Sequence, residues 1–126
     1  MSMLQTPLLS LLGRAMDLTA QRQNLVSQNI ANIDTPGYHT RDLNFGQELR
    51  RALSADPPEG ADQQAVGAPF VREVPGLIER PDGNNVNIDR ESLLMAENQL
   101  QFQTETSLLH DEFSRLQQAI NGGGGQ

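Results

Sequence analysis

Both ends of this chain carry apolar residues at three- and four-residue steps, over stretches too long for a small domain to bury alone. Toward the N-terminus, Leu4, Leu8, Leu11, Ala15, Leu18, Arg22, Leu25 and Asn29 alternate steps of four and three. That is a heptad seam with polar residues at two late positions. Leu12, Met16, Val26, Ile30 and Ile33 widen the stripe. Toward the C-terminus, Met95, Phe102, Leu109 and Leu116 recur every seven residues, Phe113 and Ile120 form a second line, and Leu93, Leu94 and Leu100 add apolar surface near the start.

The spacing predicts one helix from about residue 8 to 32 and another from about 90 to 120, roughly 38 and 46 Å long. Pro7 suits the first turn of the former. Asp89 is the expected N-cap of the latter, with Glu91 favoured in its first turn and Asn121-Gly122 as its stop. Pro36 disfavours helical geometry at Thr35, and Pro36-Gly37 fits the two central positions of a type II turn. Tyr38 to Phe45 reads as extended, followed by a short helical piece from Gln47 to Leu53.

Five of the seven prolines fall in residues 54–85. A loop of that length is functional, or disordered until bound. Val71 to Glu79 can fold as a short hairpin around Pro75-Gly76, and Asp82-Gly83-Asn84-Asn85 is a strong turn signal. The expected organisation is therefore a paired helical inner domain from residues 1–34 and 86–121, a connecting region over 35–85 with a flexible Pro/Gly-rich middle, and a mobile tail at 122–126. The fold class is all-α: two long terminal helices paired as an antiparallel coiled coil, with an irregular, partly extended connection.

Charge and composition narrow the function classes. Residues 1–53 carry five Arg against four acidic residues, whereas 54–85 and 86–126 each carry two Arg against six acidic residues. The two ends are mildly complementary, as suits helices lying side by side. A net charge of −7 argues against nucleic acid, which needs concentrated Lys and Arg. Lys is absent, and with it Schiff-base and Walker-type chemistry; Cys is absent, and with it disulfides, thiolate catalysis and thiolate zinc sites. His39 and His110 are far apart, with no paired-ligand spacing or triad context. Asp82-Gly83-Asn84-Asn85 fails as a calcium loop, because Val86 stands where an oxygen ligand belongs. No metal, cofactor, nucleic acid or small-molecule substrate is expected, nor catalysis. The first residues lack the charge and cleavage site of a secretory leader, and no apolar run is long enough to span a membrane.

One string is specific. Ser27-Gln28-Asn29-Ile30-Ala31-Asn32-Ile33-Asp34-Thr35-Pro36-Gly37-Tyr38 combines a helix end, a forced extended residue, a tight turn and an aromatic anchor. It resembles the N-terminal signature of flagellar rod, hook and hook-associated proteins, S-x-N-(I/L)-A-N-x-x-T-P-G-Y, with every fixed position present. Arg41-Asp42-Leu43-Asn44-Phe45 and the run from Asp82 to Glu91 are similar to stretches of the small proximal-rod members of the flagellar basal-body rod family. Asn98, Phe102 and Gln103 match an N-x-x-x-Y-Q pattern in which Phe replaces the usual Tyr. The resemblance covers roughly residues 8–53 and 82–121.

The resemblance implies a structural rod subunit that polymerises through its terminal helices into the axial drive shaft of the basal body. It implies periplasmic placement after uncleaved type III export. The implied partners are further copies, other rod proteins, the membrane-ring/rod adaptor and the export apparatus. Asn29, Ala31, Asn32, Thr35, Pro36, Gly37 and Tyr38 are the expected assembly motif, with Thr35 to Tyr38 setting the exit angle of the connecting region. Arg41, Asp42 and Phe45 are intersubunit candidates. Leu8, Leu11, Leu18, Leu25, Met95, Phe102, Leu109 and Leu116 are expected to carry helix packing. The competing reading is a cytosolic coiled-coil adaptor or chaperone-like binding module.

Overall fold

A computed structural model describes residues 6–54 and 68–124. The chain forms α1 (Pro7–Ala31), β1 (Arg41–Leu43), α2 (Phe45–Ser54), β2 (Val71–Glu73) and α3 (Ile88–Gly124). The expected fold class holds: α1 and α3 lie against each other, and the connection between them is short-stranded and irregular. Much of the Pro/Gly-rich middle, including Pro57, Pro58, Gly60 and Gly67, lies outside the described residues, as does Leu4.

Local chemistry sets the ends of α1. Thr6 is its N-cap, the hydroxyl accepting from the Leu9 amide at 3.1 Å, and Pro7 follows in the first turn. Proline costs nothing there, because its missing N–H has no helical partner in that position. At the other end Pro36 and Gly37 make the expected turn. The Tyr38 amide donates to the Thr35 carbonyl at 3.2 Å, and Gly37 has φ +75°.

α3 departs from expectation at both ends. Its cap is Asn87, not Asp89: Asn87 Oδ1 accepts from the amides of Asp89 and Arg90 at 2.9 and 3.1 Å. An Asn at that position satisfies first-turn donors that Asp89, already inside the helix, cannot reach. The helix also runs through the expected stop at Asn121-Gly122 to Gly124. A glycine there costs about 1 kcal/mol of helix propensity, which weakens a helix without forbidding it.

The expected hairpin within Val71–Glu79 does not form. Val71–Glu73 pairs instead with β1, antiparallel, with Arg41 opposite Glu73 and Leu43 opposite Val71. Pro75-Gly76 still makes a turn, with Gly76 at φ +81°. β1 is the better partner because the preceding turn delivers it already extended, and the Val74 amide donates to the Thr40 carbonyl at 2.9 Å. Phe45 opens α2 and does not continue the strand, since Asn44 Oδ1 accepts from the Gln47 amide at 3.0 Å and caps the helix. From α2, Glu48 reaches back to hold the Phe70 amide at 2.9 Å, and Arg51 donates to the Ala68 carbonyl at 2.8 Å.

The register of the long pair is written in polar contacts. Asn29 meets Glu91, Gln23 meets Asn98 and Thr19 meets Glu105. One set of numbers falls as the other rises, so the helices run antiparallel. Among the described residues, the buried apolar side chains are Leu12, Ala15, Leu18, Leu25 and Val26 from α1, Leu43 and Val86 from the connection, and Leu94 from α3.

Candidate assembly site

The face that α3 turns toward α1 is largely polar. Glu91, Asn98 and Glu105 are buried there at 0, 3 and 5 % exposure, seven residues apart. At the Glu91 end, Asn29 Nδ2 donates to Glu91 Oε2 at 3.2 Å, and Arg90 Nη1 donates to Glu91 Oε1 at 2.7 Å. In the middle, Asn98 Nδ2 donates to Gln23 Oε1 at 3.1 Å. At the far end, Glu105 Oε1 lies 2.7 Å from the Thr19 hydroxyl and accepts from Gln101 Nε2 at 3.0 Å, while Oε2 has no hydrogen-bond partner among the described residues. Polar groups at heptad positions fix register and give up stability to do so.

Turning this face inward leaves the apolar line of the same helix at its edge. One residue along a helix is about 100° around it. Met95 and Phe102 each follow a buried residue of the inner face by one or four positions and so stand at its edge. Phe102, expected in helix packing, is 45 % exposed, while Met95, Leu109 and Leu116 are half-buried. Leu100, Leu108, Phe113 and Ile120 are also exposed, and the last two sit with Leu116 in one shallow groove near the end of α3. On α1, Leu18 and Leu25 are buried, Leu11 is half-buried and Leu8 is exposed.

The signature string meets the Asp82–Glu91 run inside the same chain. Gly37 N–H donates to the Asp82 carbonyl at 2.9 Å, and Asn85 N–H donates to the Tyr38 carbonyl at 3.2 Å. Asn84, fully buried, donates from Nδ2 to the carbonyls of Asn32 and Thr35 at 2.9 and 2.8 Å. Those carbonyls lie beyond the helical ladder of α1, so the side chain acts as a C-cap supplied from across the chain. Asn85 Oδ1 accepts from the buried Thr40 amide at 2.7 Å. Arg80 donates to the Ile33 and Val86 carbonyls. Gly83, at φ +84°, brings the position a Cβ would fill to 3.4 Å from Gly37 Cα. The tight turn on each side is thus met by a glycine on the other.

Asn29 closes the lock from within. It is 1 % exposed, accepts from the Tyr38 hydroxyl at 3.0 Å and the Arg41 amide at 3.1 Å, and donates to the Arg41 carbonyl at 2.9 Å. Burial raises the pKa of the Tyr38 hydroxyl above its usual value; the charge of Arg41 opposes this and that of Glu91 adds to it. The hydroxyl is therefore a donor throughout the physiological range.

Among the intersubunit candidates, Asp42 is engaged within its own chain. Arg22 grips it with Nε and Nη2 at 3.0 and 3.1 Å, and Arg90 adds Nη2 at 3.2 Å. The two-pronged geometry gives this pair direction as well as charge. Arg41 is exposed and Phe45 half-buried beside this cluster. Ala31, Thr35, Pro36 and Gly37 lie at the surface, and Asn32 is half-buried.

Sequence reading missed the polar half of the site. Glu91, Asn98, Glu105 and Glu112 recur every seven residues as regularly as the apolar line does, but a search for apolar periodicity passes over them. Arg22 and Asn29 stood in the N-terminal seam as polar interruptions, and they prove to be its inward contacts to Asp42 and Glu91.

Residues 9–39 match the family model described as flagella basal body rod protein. The chain is 34 % identical over 123 residues to the flagellar basal body rod protein FlgB of Salmonella typhimurium, covering 86 % of this chain and 89 % of the relative. FlgB of Escherichia coli K12 is 33 % identical with the same coverage, and FlgB of Cereibacter sphaeroides is 38 % identical over 117 residues, covering 87 % and 91 %. The signature helix end, the turn it feeds and the loop that answers it thus sit in a chain that belongs to the FlgB family of flagellar basal body rod proteins.

Proposed function

We propose that this chain is a structural subunit of the flagellar rod, joining further copies and other rod proteins through the outer faces of its terminal helices. The observation that carries the reading is the inversion on α3: its carboxylates and amides face α1, while Phe102, Leu108, Phe113 and Ile120 stand 45 to 52 % exposed. Exposed apolar surface of this extent, arranged along one helix, marks an interaction face. Phe102, Phe113 and Ile120 fall close to one line along the helix at about 100° per residue, a row that a neighbouring helix can cover. The polar lock holds α3 on α1 in one register, so that the presented stripe has a defined shape.

Within this reading Arg41 and Phe45 contact a neighbouring subunit, and Thr35 to Tyr38 aim the connecting region. The periplasmic rod is the place of action, reached uncleaved through the flagellar type III export apparatus. The membrane-ring/rod adaptor lies among its contacts. The work is mechanical and involves no turnover.

The test is fractionation. A rod subunit sediments with purified basal bodies and resists extraction there; recovery solely in the soluble cytosolic fraction would overturn the proposal in favour of an adaptor. A variant sharpens it. Gly37→Val meets no atom within 4 Å but must adopt φ +75°, which a β-branched residue resists. It is expected to abolish motility, and normal swimming would count against the lock's role in assembly.

A further inference from the structure

His39 lies outside the lock and outside the helical faces, and its surroundings are unusual. Nδ1 is 3.1 Å from Glu73 Oε2, and Nε2 is 3.1 Å from Glu79 Oε1. A neutral imidazole carries one N–H, so it can donate to one of these carboxylates and must turn a lone pair toward the other. The imidazolium donates to both. The geometry therefore fits the charged ring.

The two carboxylates come from the two ends of one loop. Glu73 closes β2, the chain turns at Pro75-Gly76, and Glu79 follows. Leu77 is half-buried in that loop, and Ile78 projects from it at 91 % exposure. The loop's upstream end is tied by the β1–β2 ladder and by the Val74 amide to the Thr40 carbonyl. Two three-residue strands make a marginal pairing.

We propose that His39 is a proton-operated staple: as imidazolium it closes the loop from Glu73 to Glu79 against the turn at Thr35–Thr40 and sets where Ile78 stands, and as neutral imidazole it releases the loop. The groups facing the ring are Glu73 from β2, Glu79 from the loop and the carbonyl of Gly83 from the following turn. Neighbouring charges are directed elsewhere: Arg80 donates to the Ile33 and Val86 carbonyls, and Asp82 accepts from the Asn84 amide.

The partners push the ring in the expected direction. The hydrogen bond that the ring donates to Glu73 raises its pKa above 6.5, partial desolvation opposes this, and the charges of Glu73 and Glu79 add to the rise. A group raised in the folded state contributes stability that is complete below its unfolded value and is lost as pH climbs through the folded one. The carboxylates must be ionised too. The staple therefore holds where Glu73 and Glu79 are ionised and the ring is charged, and opens as pH rises through the raised pKa of His39.

The chain has two histidines, and the His39 resonances are assigned by their loss in His39→Gln. Imidazole resonances of the full chain, kept folded with a stabilising osmolyte and checked by its far-UV circular dichroism, are followed against pH, with amide-exchange protection of residues 71–80 measured in parallel. His39 is expected to titrate above the ordinary imidazole value of 6.5, and the double variant Glu73→Gln/Glu79→Gln to bring it back down. Protection of 71–80 is expected to fall several-fold between about pH 6 and pH 9, while that of α1 and α3 holds, and to become insensitive to pH in His39→Gln. A His39 titration in the folded chain that the double variant leaves unmoved would overturn the staple. So would protection of 71–80 that ignores pH in the wild type, or that still changes in His39→Gln.

Discussion

Changing Asn84 to Asp replaces one NH2 group by an oxygen, with almost no change of shape, yet the structure makes it a severe substitution. Asn84 is fully buried, and Nδ2 donates to two carbonyls while Oδ1 accepts from the Val86 amide at 2.8 Å. In Asn84→Asp the bond to Val86 survives, but the other oxygen faces two acceptors. Two hydrogen bonds at about 1 kcal/mol each are lost, and a carboxylate is left buried without a donor on that side, so the total comes to about 3–5 kcal/mol. Asn84→Ala loses all three bonds without adding charge. The Asn32 and Thr35 carbonyls lie close enough to the surface to be rehydrated, which leaves the Val86 amide as the costly orphan, at about 2–3 kcal/mol.

The two variants separate by pH. A carboxyl surrounded by acceptors has its folded pKa raised above the unfolded value of about 3.9. Asn84→Asp should therefore recover part of its loss on acidification, when a protonated oxygen can donate to one carbonyl. Asn84→Ala should show no such recovery. The readout is the midpoint of an osmolyte-driven folding transition followed by far-UV circular dichroism in dilute solution, where the folded state is favoured by exclusion of osmolyte from the chain surface. If Asn84→Asp lies within about 0.5 kcal/mol of wild type at neutral pH, the side chain is no cross-chain cap and the reasoning fails.

Other substitutions probe the remaining parts. Glu105→Leu removes a carboxyl with an unpartnered oxygen from the α1–α3 seam and should stabilise the isolated chain by about 1–3 kcal/mol in the same transition; destabilisation would mean that the seam needs the carboxyl. Phe102→Ser with Phe113→Ser should leave the folding midpoint within about 1 kcal/mol, because both rings are about half exposed, yet prevent sedimentation with basal bodies. Asp42→Asn leaves Arg22 and Arg90 without their shared carboxylate and should cost about 1–2 kcal/mol, with the loss shrinking in high salt.

The fold was legible where periodicity and turn chemistry speak alone. Pro7, Pro36 and Gly37 each impose local geometry regardless of context, so the limits of α1 and the turn after it could be read directly. α3 was harder to bound, because Asn87 and Asp89 are both acceptable caps and only the tertiary position of the loop chooses between them. The strand partner of Val71–Glu73 was hidden for the same reason, since a nearby turn suggests a hairpin when a more distant strand is already in place. The site was half legible. The signature string stood out as a motif, but its complement from Asp82 to Glu91 gave no sign that the two strings meet, and Arg90, Asn84 and Asn85 act only through that meeting. Apolar periodicity located α3 yet not its orientation, because the heptad that faces α1 is made of Glu91, Asn98 and Glu105.

The central claim is that α3 keeps Glu91, Asn98 and Glu105 against α1 and leaves Phe102, Leu108, Phe113 and Ile120 for neighbours. Helicity of the purified chain measured across a wide range of dilution tests this directly. Low helicity in dilute solution, rising as the chain is concentrated or supplied with other rod subunits, is the predicted result. A chain that stays monomeric, remains fully helical on dilution and melts in one sharp step would contradict it.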